Sequence, residues 1–180
     1  MIPAGFKPTT RQTGHAIGGV VGHMAVKLAA TADPDSLRAA GCTPEQYGFE
    51  VLLLAASAAM HAVESSGLAP AVETEVASGL FDWVRELREP ERTLLLEWLD
   101  VSTDLYAEAA GLDAAQLTAP GDLSEIEAVF GDRLLSLGET NETRGRACGR
   151  LCLAMPTTLW AVQLASANQM LVDAGLLSPQ

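Results

Sequence analysis

Apolar positions recur at three- and four-residue spacing along most of the chain, with little period-two alternation and few β-branched clusters, so the pattern predicts helices throughout. After a loose tail over residues 1–9, a first helix is expected from Thr10 to about Ala32. Asp33-Pro34 supplies an N-cap and a first-turn proline for a short helix that Gly41 stops. Thr43 and Gln46 have capping-box spacing, and the helix they open is expected to reach Ser66 before Gly67 ends it. Pro70 opens the next helix, which runs to about Glu89, where Pro90 imposes a kink or a fresh start. Beyond it, Leu94, Trp98, Val101, Leu105 and Ala109 form the stripe expected to face inward, with Glu97, Asp100, Asp104 and Glu108 facing outward and Gly111 closing the helix. Pro120-Gly121 marks a loop, and Asp122 with Glu125 starts a helix that ends near Gly138. A last element, from about Asn141 to Ala174, is expected to kink at Pro156, which removes the amide that would bond the Cys152 carbonyl. The expected fold is all-α, a single-domain bundle of five to seven helices, the last one kinked at a proline.

Within the first helix, Gly14, Gly18 and Gly22 recur every fourth residue, about 40° apart around the axis, and form one smooth strip. Glycine costs about 1 kcal/mol per site against alanine in a helix interior. A neighbouring backbone or flat group that approaches closer than any side chain permits would offset that cost. The partner expected from spacing is the small-residue set Ala55, Ala58, Ala59 and Ala62, met within one subunit or across a dimer axis.

Composition narrows the picture. At 180 residues the chain is long enough to bury roughly 70% of its extended surface without disulfides or metal. Its 48% hydrophobic content exceeds what a modest core needs, which points to a homodimer with an alanine- and leucine-rich interface. Charged residues interrupt every apolar stretch before the length a membrane helix requires, so membrane insertion is not expected. Three cysteines, Cys42, Cys148 and Cys152, lack disulfide spacing, and no charged-then-apolar leader pattern precedes Thr10. A reducing cytoplasm is the expected compartment. The net charge of −12 is concentrated in residues 61–140, which hold seventeen acidic and four basic side chains. That acidic middle repels nucleic-acid phosphate and is expected to be a solvated face that keeps the protein soluble, with a docking face for a basic protein partner as the alternative.

Several residue groups have chemistry to offer. His15 and His23 lie about 80° apart on the first helix and, with His61, could move protons or bind metal, although they lack the i, i+4 spacing of helical metal sites. His61 and Glu64 stand one turn apart, in the reverse order of a di-iron motif, which favours a simple polar pair. Glu86 and Glu89 followed by Glu97 and Asp100 form two acidic pairs, too close in sequence to face each other across two helices unless Pro90 makes a tight corner. Cys148 and Cys152 share a helix face and are expected to pack as small apolar groups. Arg144, Arg146 and Arg150 sit near a helix start, where guanidinium forks and amides attract carboxylate or phosphate, or else pair with the acidic middle.

None of these patterns identifies a reaction, a cofactor or a metal. The sequence therefore favours a non-catalytic, homodimeric binding or interaction protein for a protein partner or a small apolar or anionic molecule. The alternative is a metal-assisted or hydrolytic enzyme with a pocket beside the three histidines.

Overall fold

A computed structural model describes residues 8–115, 124–136, 142–152 and 155–178, and among them there are eight helices and no strand. They are α1 (Thr10–Ala29), α2 (Pro34–Ala40), α3 (Pro44–Glu64), α4 (Pro70–Glu86), α5 (Glu91–Ala115), α6 (Glu125–Ser136), α7 (Glu142–Cys152) and α8 (Met155–Asp173). No described helix is long and apolar enough to cross a membrane.

The boundaries follow from side-chain caps. The Thr9 hydroxyl accepts from the Gln12 amide at 3.2 Å while the Gln12 side chain accepts from the Thr9 amide at 2.9 Å. Thr43 and Gln46 repeat the arrangement at the start of α3. Ser124 and Glu127 do the same at the start of α6. Each box satisfies two amides that a helix start leaves bare, and a cap of this kind is worth about 1 kcal/mol. Asp33 accepts from the Ser36 amide ahead of Pro34, and Gly41 ends α2 in the left-handed region at φ 67°.

Two expectations about boundaries are corrected. Gly111 does not close α5, which continues to Ala115; a glycine stop needs a positive φ, and among the described residues only Gly41, Gly67 and Gly175 have one. The carboxy-terminal element is not one kinked helix. It is two, α7 and α8, and Pro156 sits in the first turn of α8, where its missing amide needs no intrahelical acceptor. That division brings the described helices to eight instead of five to seven. The loop at Pro120-Gly121, the expected start at Asp122 and the expected stop at Gly138 lie outside the described residues.

Helix α3 is the centre of the core. Every side chain from Leu53 to Met60 is buried, as a helix apolar on all sides must be, and α1, α5 and α8 pack around it. Alanines at 55, 56, 58, 59 and 62 keep it thin enough for several neighbours at once.

The glycine strip has a different partner from the alanines expected. A Cβ on Gly14 would overlap the Val76 carbonyl oxygen, and one on Gly79 would overlap that of Arg11, so α1 and α4 meet backbone to backbone. Further along, Gly18 and Gly22 seat the indole of Trp83, a Cβ on Gly18 falling 2.5 Å from the ring. Small residues are needed where two helices come this close, and α3 meets α1 on another side. The two helices run parallel: Arg11 pairs with Asp82 and, one turn later, His15 with Glu86. Hydrogen bonds from Arg11, then its charge and Arg85, hold the Asp82 carboxyl below the usual carboxylate range despite some desolvation. Because the strip is used inside the subunit, it is not a seam for a second copy.

Candidate functional site

Helix α5 carries two apolar stripes, and the less apolar one faces the core. Leu95, Leu99, Ser102, Thr103, Tyr106 and Ala109 are buried. The stripe expected inside, Leu94, Trp98, Val101 and Leu105, is instead half-buried at Leu94 and exposed beyond it, with Val101 at 61%, Trp98 at 41% and Leu105 at 40%. Only Ala109 of the expected set is in the core. The Thr103 hydroxyl returns its proton to the Leu99 carbonyl at 2.8 Å, whereas the Ser102 hydroxyl is buried without a hydrogen-bond partner. Two hydroxyls are thus packed inside while a tryptophan, a valine and a leucine stand in water.

The exposed seam has the four–three–four spacing by which helices pack on one another. Glu97, Asp104 and Glu108 lie next to it on its solvent side, all exposed, as is Asp100. Partial desolvation, then the charges of Asp104, Glu73 and Asp100, raise the Glu64 carboxyl above the usual carboxylate range, which marks this side as crowded with like charge. On its other side the seam meets α6, where the Arg133 guanidinium lies 5.9 Å from the centre of the Trp98 ring.

At its amino-terminal end the seam opens into a cavity of about 560 Å³ between α3, α5 and α6. Leu94, Trp98 and Phe49 give it apolar walls, and Glu45, Glu50, Glu91 and Arg133 give it charge. Glu50 is almost fully buried and accepts both Arg133 Nε, at 2.6 Å, and Nη2, at 3.2 Å. This two-pronged pair fixes α6 against α3 and sets the guanidinium beside the indole. With Arg133 neutralised by Glu50, the remaining charge of the cavity is that of Glu45 and Glu91. Its own backbone amide, then the Thr43 hydroxyl, hold the Glu45 carboxyl low.

The histidines are not brought together. His15 is committed to Glu86 at 3.0 Å, His23 is exposed on α1, and His61 stacks on Trp160 with ring centres 5.6 Å apart. Among the described residues no three His, Cys, Asp or Glu side chains are placed to hold a metal ion. Of the acidic pairs, Glu86 serves His15 and Glu89 accepts from Arg92. Cys42 and Cys148 are buried. Arg146 is exposed on α7, and the side chains of Arg144, Arg150 and Cys152 lie outside the described residues.

Sequence reasoning missed the Glu50–Arg133 pair, whose members are 83 residues apart with no local signal to join them. It also placed the α5 seam inward. A signal was present, since the neighbouring register Leu95, Leu99 and Tyr106 is also apolar. The chain matches no protein-family model, no curated protein and no solved structure.

Proposed function

We propose that the chain is a non-catalytic interaction protein, a single helical domain whose α5 face receives an amphipathic helix with basic flanks. The observation that carries this reading is the inversion on α5: the more apolar stripe faces solvent beside carboxylates, while Ser102 and Thr103 are packed in the core. Trp98, Val101 and Leu105 remain 41%, 61% and 40% exposed, and a partner would recover the corresponding fraction of the roughly 1.5–3 kcal/mol that full burial of a large apolar side chain contributes. Charge selects the partner. A second copy would bring Glu97, Asp104 and Glu108 against the same residues, whereas lysine or arginine flanks would complement them. The homodimer expected from composition is therefore disfavoured on this face, and the glycine strip no longer supports it.

Trp98 provides the test, because the other tryptophans, Trp83 and Trp160, are buried at 7% and 5% exposure. A synthetic helical peptide with leucines at heptad spacing and lysines beside them is titrated against a glutamate-flanked version of itself. The lysine peptide is expected to shift the tryptophan emission to the blue and shield it from acrylamide, with affinity that falls as salt rises. Val101→Asp is expected to abolish the effect without loss of helicity. Equal response to both peptides, or to neither, contradicts the proposal. So does a blue shift that appears with rising protein concentration alone together with a doubled mass in light scattering.

A further inference from the structure

On the face made by α1 and α8, away from the α5 seam, a groove of about 580 Å³ runs between the carboxy-terminal half of α1 and the first turns of α8. Its walls are Met24, Leu28, Met155, Leu159 and Val162. Val162 is 43% exposed, so the rim of the groove leaves aliphatic surface in water. Two methionines give the walls adaptable packing. The polar groups are few. The Thr31 hydroxyl is already engaged, donating to the Leu28 carbonyl at 2.7 Å. Lys27 is the one charged side chain lining the groove.

Lys27, like Arg88, is exposed and is not paired with a described carboxylate. The chain has 23 acidic side chains, and Arg11, Arg38, Arg85, Arg92 and Arg133 each pair with one. No described carboxylate lies within ion-pair distance of the Lys27 ammonium. An apolar trough of small-molecule size with a single cation at its side is the complement of an apolar chain ending in an anion. A lipid bilayer is a poorer occupant, since α1 carries only this lysine besides Arg11, which Asp82 holds, where interfacial helices carry several free cations.

We propose that this groove binds a free fatty acid, its chain along Met24, Leu28, Met155, Leu159 and Val162 and its carboxylate on the Lys27 ammonium. The site is independent of the α5 face, and either can fail alone.

Calorimetric titration of the full chain with dodecanoate, kept below its micellar concentration, tests this against dodecanol, dodecyltrimethylammonium and phosphatidylglycerol vesicles. Dodecanoate is expected to bind at one per chain, more tightly than dodecanol, with the trimethylammonium compound weakest. Lys27→Met keeps the groove apolar and is expected to weaken dodecanoate about tenfold or more while leaving dodecanol unchanged, with Lys27→Arg restoring most of the affinity. Val162→Asp, at a partly exposed position, is expected to abolish dodecanoate binding while circular dichroism stays helical. No binding of dodecanoate to the parent chain overturns the proposal, as does equal affinity for the trimethylammonium compound or an unchanged affinity in Lys27→Met. Binding to the vesicles but not to free dodecanoate also overturns it, in favour of a lipid surface.

Discussion

Gly14 lies so close to the Val76 carbonyl that no side chain fits between them, and this contact joins α1 to α4 at backbone distance. Gly19, five residues on, has nothing within 4 Å of where its Cβ would stand. The two glycines are on one helix, with the same intrinsic propensity and opposite surroundings.

Gly14→Ala is expected to destabilise the protein by about 2 kcal/mol, because overpacking costs about 1–3 kcal/mol and the clash is with backbone that cannot rotate away. Gly19→Ala is expected to stabilise it by up to about 1 kcal/mol through helix propensity alone. Urea denaturation of both variants checks this, and equal effects would mean that α1 and α4 are not in backbone contact.

Removing one member of the Glu50–Arg133 pair leaves the other partly buried without its counter-charge. Glu50→Ala is expected to cost on the order of 3 kcal/mol, whereas the double change Glu50→Met with Arg133→Met recovers much of that loss. A double variant no more stable than Glu50→Ala in urea denaturation would show that the pair does not hold α6 to α3.

The Glu64 carboxyl has the opposite pH behaviour to Asp82. Its folded-state value is raised, so over the window between the unfolded and folded values the native state binds more protons and stability falls as pH rises. Glu64→Gln is expected to raise the melting temperature at neutral pH and to have little effect once the pH is below the ordinary carboxylate range. A variant that lowers the melting temperature at neutral pH would show that Glu64 is a favourable partner and not a crowded one.

Where the fold was legible, the signal was local. Thr43 with Gln46, Asp33 with Pro34, and Gly41 each determine a boundary through bonds within three or four residues, so the sequence alone places them. Pro156 was ambiguous for the same reason: a missing amide fits a first helical turn as well as a kink, and only the surrounding chain decides. The strip at Gly14, Gly18 and Gly22 announces close packing but not its partner, because Val76, Gly79 and Trp83 lie more than fifty residues away. On α5 the usual rule works against the reader. Periodicity assigns the most apolar stripe to the core, and here Leu94, Trp98, Val101 and Leu105 are that stripe and are not in it. A helix whose surface is needed for a partner carries the same period as one whose surface is needed for folding.

Hydrogen exchange of the full chain with and without the lysine-flanked peptide tests the central claim most directly, because it locates the contact as well as detecting it. The expected result is slowed exchange over residues 94–108, fading with added salt, with α1 and α8 unchanged. Protection on α1 and α8 with α5 unaffected would contradict the assignment of the α5 face as the docking site.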